Sequence, residues 1–185
     1  MAGVKQIIEI PHETLRKIAK EVIKVDKKLI KLVADLEETL EKKRNPKGVG
    51  LAAPQINTSL RLFCLNINGI TTYINPEIIN TSPNRTFGPD KKEPILEGCL
   101  SMPQLYGPVP RWEWIEAKFQ TLEDNQLVEQ TQKFSDFEAR VFQHELDHLD
   151  GILFTDYALE YDLPVYKEYK TDEFEEVDPQ ILELF

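Results

Sequence analysis

The sequence predicts an α+β fold, with mainly antiparallel sheets around a central helix that carries an HExxH motif, and with helices at the N-terminus. Three observations predict it. The N-terminal quarter is charged with apolar residues at helical spacing, strand-like runs separated by turn residues fill the middle, and an amphipathic stretch with two histidines follows. Consecutive strands with short connections favour antiparallel pairing, whereas a βαβ fold alternates strands with helices. A chain of 185 residues is long enough for one hydrophobic core.

Two N-terminal helices are predicted over residues 13–22 and 27–43, or one helix that is broken near Asp26. In the second, apolar residues recur at the spacing of one helical face; they are Leu29, Leu32, Val33, Leu36 and Leu40. This helix ends before Pro46, because a residue that precedes proline is disfavoured in the helical region. The small, glycine-rich run 48–55 follows, and its glycines allow the backbone to approach a ligand closely.

The strand-like runs come next, at residues 60–67, 70–75, 78–80, 112–121 and 127–134. The Asn-Gly pair at 68–69 predicts a tight hairpin turn between the first two. Segment 81–94 holds three prolines and mixed charge, so it is predicted to be a surface loop. Ser135 and Glu138 form a capping-box pattern for the next helix, and Gly151 is placed to end that helix in a left-handed conformation.

This last helix contains the pattern that indicates chemistry. His144 and His148 are four residues apart, so both imidazoles lie on one helical face, about 6 Å apart along the axis. Glu145 lies beside them and could take a proton from a metal-bound water. A solvated, charged helix face is the plain alternative. The chain has three histidines in all, and two at this spacing around a glutamate predict metal-dependent hydrolysis.

The third metal ligand decides the class of enzyme, since a catalytic site of this kind uses three protein ligands and keeps one position open. Phe154 stands where metzincins have a third histidine. Glu168 lies where a thermolysin-like glutamate is possible, and His12 opens the N-terminal helix as an expected surface residue. Cys99 remains a candidate, because thiolate is a strong ligand for zinc or ferrous iron.

Composition narrows the class of protein and its surroundings. Apolar residues make up 41% of the chain and charged residues 29%, which is typical of soluble globular proteins. No run approaches the ~20 apolar residues of a membrane span, and the first six residues lack a secretion signal, so we expect a cytoplasmic protein without a membrane partner. The net charge of −10 argues against direct nucleic-acid binding. A disulfide between Cys64 and Cys99 is not expected there, and Cys64, in an apolar run, is predicted to be buried and inert.

Three segments resemble the three motifs of the peptide deformylases, in the family's order: GVGLAAPQ at 48–55, EGCLS at 97–101 and QHELDHLDG at 143–151. The resemblance extends over roughly residues 5–158. It implies one deformylase-like catalytic domain over residues 1–158, followed by an acidic C-terminal tail over 159–185. It also implies a hydrolase that removes the N-formyl group from the formylmethionine of newly synthesised polypeptides and releases formate.

The resemblance implies roles for particular residues. Cys99, His144 and His148 correspond to the ligands of one divalent metal ion, usually Fe²⁺, with Zn²⁺ or Ni²⁺ as substitutes. Glu145 corresponds to the general base and acid. The family's oxyanion is held by Gln55 and by the backbone N–H of Leu100.

Substrate contacts are implied in the same way. Gly50 corresponds to a residue that offers backbone hydrogen bonds to the peptide. Glu97 resembles a structural acid that pairs with Arg111. The apolar candidates for a methionine pocket are Val49, Ile95, Phe137 and Val141, for each of which simple core packing is the alternative.

Several positions are left open or depart from the family. Asp147 or Gln143 is expected to steady an imidazole or a loop. Leu96 stands where many relatives have an acid, and Arg140 is expected either over the substrate or in solvent. The acidic tail lacks the basic final helix of some bacterial relatives, so ribosome docking by the C-terminus is not expected. Expected partners are formylmethionyl peptides and, transiently, nascent chains on ribosomes.

Rival classes make different predictions. A thermolysin-type zinc metallopeptidase would use Glu168, and a Cys99→Ser variant would keep its metal. A non-catalytic metal-binding domain on the same scaffold would have no need of Glu145 or Gln55. In a thiol hydrolase with Cys99 as nucleophile, the activity would persist in the presence of chelators and would be lost when the thiol is alkylated.

Overall fold

A computed structural model describes residues 2–88, 93–171 and 173–178. Within them the elements follow in the order of a short 3-10 helix, a long helix, one strand, a second 3-10 helix, eight further strands, two helices and a final strand pair. The helices are α1 (Lys27–Lys42), α2 (Asp136–Leu149) and α3 (Phe154–Tyr161), with 3-10 helices at Glu13–Arg16 and Ala53–Ile56. The strands are β1 (Gly50–Ala52), β2 (Leu62–Asn66), β3 (Ile70–Thr81), β4 (Arg85–Thr86), β5 (Leu96–Cys99), β6 (Met102–Pro108), β7 (Arg111–Trp112), β8 (Trp114–Glu123), β9 (Gln126–Ser135), β10 (Tyr166–Lys170) and β11 (Glu173–Glu176).

The strands form three sheets, in which every strand pairing is antiparallel. The five-stranded sheet has the order β1-β2-β3-β8-β9, the four-stranded sheet β11-β10-β6-β5, and the two-stranded sheet β4-β7. The expected mixed fold with mainly antiparallel sheets is therefore confirmed. The strands β1 and β5 are edge strands of their sheets, and both contribute to the cleft described below.

The hydrophobic core lies between these layers. One cluster packs α2 on the five-stranded sheet, where the Phe142 ring meets Phe63 edge-on at 4.9 Å and Tyr73 at 5.3 Å between centroids. A second cluster covers the sheet with the apolar face of α1, including Leu36 and Leu40. Burial of this face confirms the helical spacing that the sequence shows for α1.

The first predicted helix, 13–22, is wrong. Only the 3-10 turn Glu13–Arg16 forms, with His12 as its N-cap: His12 Nδ1 accepts the Thr14 N–H at 3.2 Å. The following backbone bonds instead to distant parts of the chain, because Ala19 N–H donates to the Leu149 carbonyl at 2.7 Å.

Other boundaries also shift. The runs 70–75 and 78–80 form one strand, β3, with register shifts along it, and segment 81–94 contains β4, with residues 89–92 of that prediction outside the described part. Ser135 is the N-cap of α2, but its side chain makes no capping bond, so the predicted capping box is wrong. Gly151 has a φ of +73°, as expected, and a Cβ there would lie 2.7 Å from the Arg16 carbonyl oxygen.

The strands beside the cleft and the elements of the acidic segment were not predicted from the sequence. In the acidic segment, α3 continues to Tyr161, and β10 and β11 form part of the four-stranded sheet because β10 pairs with β6. Among the residues that the structure describes, none of the helices combines the length and the apolar character needed to cross a bilayer.

Candidate metal centre and substrate cleft

The helix α2 places His144 and His148 on one face, with their ring centroids 5.0 Å apart and the rings nearly perpendicular. The same helix is fixed to the five-stranded sheet by the fully buried Phe142 and Leu149, which lie on the opposite side of the helix from the histidines. The two imidazoles are therefore carried by a rigid element.

Cys99 reaches the histidines from β5. It is the last residue of that strand, at a register shift where it pairs with Met102, and it is buried. Its Sγ lies 3.2 Å from His148 Nε2 and accepts the Ser101 N–H at 3.4 Å. One ligand atom from each of Cys99, His144 and His148 lies within 4.8 Å of the others, so this group could hold a metal ion.

Behind His144 lies a buried carboxylate, Glu97. Its Oε2 is 3.0 Å from His144 Nδ1, which fixes the ring so that the other nitrogen, Nε2, faces the thiol. Arg111 donates to both carboxylate oxygens, at 3.0 and 2.9 Å, and Arg140 donates to Oε1 at 2.9 Å. Although burial alone would raise the pKa of Glu97, the Arg111 guanidinium and His144 hold it well below its usual range.

The hydrogen-bond network behind His144 continues from Arg111 to Asp147. Arg111 Nη1 also donates to Asp147, and the Tyr157 hydroxyl donates to the other oxygen of that carboxylate at 3.3 Å. Asp147 thus acts on His144 through Arg111 and Glu97. Gln143 contacts a different element: its Oε1 accepts the Trp112 N–H at 3.0 Å and its NH₂ group donates to the Trp112 carbonyl at 2.9 Å, which steadies the strand β7.

The donor set fits a cation between the sulfur and the imidazoles. Burial alone would lower the pKa of His144, but its bonds to Cys99 and Glu97 raise it well above the usual value. The pKa of His148 is well below its usual value because of burial and the charge of His144. The cluster therefore favours a single positive charge between these atoms over protonation of both imidazoles. A divalent ion bound to the sulfur and the two rings supplies that charge.

Glu145 points into the cleft beside these residues. It is buried, and among the described residues no hydrogen-bond partner is found for its Oε2. Burial raises the pKa of Glu145 to about 7. Its carboxylate lies against Gly50, where a Cβ would come within 2.7 Å of the carboxyl carbon. A residue with a side chain does not fit at position 50 unless Glu145 moves.

Gln55 faces the same place from the 3-10 helix Ala53–Ile56. Its Oε1 accepts the Ala52 N–H at 2.8 Å, which directs the NH₂ group towards the site. That group is 3.2 Å from Ser101 Oγ and 3.6 Å from Cys99 Sγ. Leu100 follows Cys99 in the turn after β5 and also lines the cleft.

A cleft of about 300 Å³ opens in front of this cluster. The structure brings all five candidate substrate residues to its lining, together with His144 and Glu145; they are Val49, Gly50, Ile95, Phe137 and Val141. Phe137 is half exposed at the rim, whereas Val49, Ile95 and Val141 are partly buried. Met102, Tyr106 and Leu105 also line the cleft, and the sequence alone did not identify them.

Several expectations are corrected here. Arg140 is neither in solvent nor free to lie over a substrate: it is buried and donates to Glu97 and to the carbonyls of Val109 and Thr86, at 2.8 and 3.0 Å for the carbonyls. Both cysteines are free, as expected, and Cys64 is buried as predicted, where burial raises the pKa of its thiol well above the usual value; Cys99 is buried as well.

Two other candidate ligands lie elsewhere. Glu168 accepts a hydrogen bond from the Tyr106 hydroxyl at 3.1 Å, and His12 caps a 3-10 helix. Within the described part of the chain, neither belongs to the group of residues that could hold a metal.

Comparison with known proteins defines the class. A family model described as polypeptide deformylase matches residues 4–162, and the chain therefore belongs to the peptide deformylase family of enzymes. The peptide deformylase of Pseudothermotoga lettingae is 41% identical over 153 residues, which cover 83% of this chain and 82% of that protein.

Solved structures of peptide deformylases are similar to this chain. A peptide deformylase from Legionella pneumophila superposes with a TM-score of 0.73 at 34% identity and covers 84% of this chain and 86% of that chain. A class I type b peptide deformylase from Acinetobacter baumannii, bound to Met-Ala-Ser, gives a TM-score of 0.70 at 33% identity, over 85% of this chain and 99% of that chain.

Proposed function

We propose that this chain is a metal-dependent hydrolase that removes the formyl group from N-formylmethionyl peptides, with α2 as the central helix that carries the catalytic HExxH motif. One observation carries the proposal. A thiol and two imidazoles meet beside the buried carboxylate of Glu145, whose Oε2 has no hydrogen-bond partner among the residues that the structure describes, in an apolar cleft. Membership of the deformylase family supports the same reaction.

The metal ligands in this proposal are Cys99, His144 and His148, which leave a fourth position open. When bound, a divalent ion there supplies a Lewis acid that polarises the formyl carbonyl and lowers the pKa of water. A ligand set of one thiolate and two imidazoles suits Fe²⁺, which we propose as the native ion, and also Zn²⁺ or Ni²⁺.

Glu145 is the proposed general base and acid. Its pKa of about 7 lets it take a proton from the attacking water and later deliver that proton to the leaving amine near neutral pH. The oxygen of the water adds to the formyl carbon, the C–N bond breaks, and formate and a free α-amine are released. Placing Glu145 against Gly50 holds its carboxylate near the cleft axis.

Gln55 and the backbone N–H of Leu100 are the proposed donors to the oxyanion. The anchored Gln55 amide is preorganised for this, since its carbonyl is already bonded to Ala52. Removing one such donor typically lowers kcat by ~10²–10³-fold. Gly50, in the edge strand β1, is proposed to bond the peptide backbone.

The methionine side chain is proposed to bind against Val49, Ile95, Phe137 and Val141, which line one cleft with His144. An apolar, unbranched side chain fits a lining of this kind, whereas a charged one would be desolvated without a partner. We further propose that residues 1–158 form the catalytic domain, and that the enzyme acts in the cytoplasm on chains leaving the ribosome.

An anaerobic assay on formyl-Met-Ala, combined with metal analysis, tests the proposal. Iron- or nickel-loaded protein is expected to release formate, and Glu145→Ala is expected to bind one metal ion without turnover. Absence of turnover by both loaded forms of the unaltered chain would remove the proposed function. Retention of metal by Cys99→Ser would instead favour the thermolysin-type ligand set.

A further inference from the structure

We propose that the C-terminal hairpin β10–β11 holds Tyr106 as the outer wall of the substrate cleft, and so determines how tightly peptide residues after the formylmethionine bind. This inference rests on the proposed function. The strands of the hairpin, Tyr166–Lys170 and Glu173–Glu176, follow the stretch 4–162 that the family model matches. Their contribution therefore comes from outside the part of the chain that defines the family match.

Tyr106 connects the hairpin to the metal-binding strand. It lies in β6, pairs with Gly98 of β5, and lines the cleft. A Cβ built on Gly98 would lie 2.6 Å from Cε1 and 2.9 Å from Cδ1 of the Tyr106 ring. The ring thus occupies the space of a side chain at position 98, one residue before Cys99. Movement of this ring changes the cleft wall next to the proposed metal ligand.

Two side chains of the hairpin hold the ring. Phe174 of β11 meets it edge-on, with centroids 5.3 Å apart and an interplanar angle of 82°. Glu168 of β10 accepts the bond from the Tyr106 hydroxyl at 3.1 Å. Glu168 and Phe174 are directly paired between β10 and β11, so both lie on the sheet face that carries Tyr106. The contact with Phe174 fixes the ring of Tyr106, and the hydrogen bond to Glu168 fixes its hydroxyl.

This arrangement acts on the peptide beyond its first residue. The proposed methionine pocket is built by Ile95, Phe137 and Val141, whereas Tyr106 lies on the β6 side of the cleft. Without Phe174 the ring gains rotamer freedom, which a peptide in contact with the wall must remove on binding. The variant therefore binds longer peptides with lower affinity, whereas the rate of the chemical step is unchanged.

The test compares Phe174→Ala with Tyr169→Ala, a matched control because Tyr169 is an aromatic residue of the same hairpin and is 56% exposed. Phe174→Ala is expected to raise KM for formyl-Met-Ala-Ser about three- to tenfold, the range of one aromatic pair, with kcat within about twofold. KM for formyl-Met amide is expected to stay within about twofold of the unaltered enzyme. Calorimetry with the product Met-Ala-Ser measures the same loss without turnover.

A double-mutant cycle assigns the effect to the ring. Tyr106→Leu is expected to weaken Met-Ala-Ser binding, and adding Phe174→Ala to it is expected to cost nothing more. The inference is overturned if Phe174→Ala matches Tyr169→Ala, if both substrates lose affinity equally, or if the two losses add. If the unaltered, metal-loaded chain turns over no formyl peptide, the proposed function fails and this inference fails with it.

Discussion

Gly50→Ala is the sharpest test of the way in which the proposed base is held. A methyl group at position 50 would lie 2.7 Å from Cδ and 2.8 Å from Cγ of Glu145, whereas ordinary contacts begin at 3.4 Å. Restoring that distance moves the carboxylate by at least about 0.7 Å, since Oε1 lies closer to the methyl group than Cδ does, and displacements near 1 Å cost on the order of 10²-fold in rate. We therefore expect kcat for formyl-Met-Ala to fall about 10²-fold with metal content unchanged.

The control for this prediction is Gly3→Ala, because a Cβ at Gly3 meets no atom within 4 Å. Steady-state kinetics and metal analysis on both variants, with thermal unfolding as a check on folding, complete the comparison. If Gly50→Ala keeps full kcat while its metal and unfolding temperature are normal, Glu145 is not positioned by this contact, and the reasoning is refuted. A loss of metal would contradict it as well, because the three atoms nearest to a Cβ at position 50 all belong to Glu145.

Three further predictions concern the ligand set, the core and the N-terminal segment. Cys99→Ser is expected to lower metal affinity by at least about 10²-fold in competition with a chelator, whereas Glu168→Gln should leave that affinity unchanged. Phe142→Ala should lower the free energy of unfolding by about 3–5 kcal/mol in urea titrations, since its ring is fully buried among aromatic neighbours. Burial tends to raise the pKa of Asp35, but its bonds to Lys31, Lys5 and the Gly3 N–H lower it below its usual value. This group therefore stabilises the fold above the ordinary aspartate pKa of about 4 and loses its contribution as pH falls through the lower, folded-state pKa. Urea titrations from pH 6 to pH 2 should show this loss in the unaltered chain and a weaker pH dependence in Asp35→Asn.

The parts of the fold that were predictable from sequence are those with local signals. The apolar face of α1 and the strand runs of the five-stranded sheet repeat at periods that a short window reveals. The histidine spacing of α2 is equally local. Cys99 could be linked to that helix only by its motif, because the two lie far apart in the chain and meet through side-chain contacts, Cys99 with His148 and Glu97 with His144.

The predictions that were wrong or missing concern residues whose partners lie far away in the chain. Segment 13–22 has charge and apolar residues suited to a helix, yet the Ala19 N–H bonds to Leu149, 130 residues away in the chain. The strands β5 and β6 contain glycine and proline without alternation, so their pairing follows from tertiary contacts. Arg140 was expected over substrate or in solvent because its partner, Glu97, is 43 residues away.

The buried charged residues of the site restrict the charge of the ion that could bind there. Charged groups in a protein interior are stable only when they are paired, since desolvation costs several kcal/mol for each ion. Here Glu97 and Asp147 are balanced by Arg111 and Arg140. That leaves Glu145 and the Cys99 thiol, which carry up to two negative charges when both are ionised, next to two imidazoles that are neutral as ligands. A divalent cation balances this pair, whereas a monovalent one does not, so chelation should destabilise the fold most strongly at pH values where Glu145 is ionised.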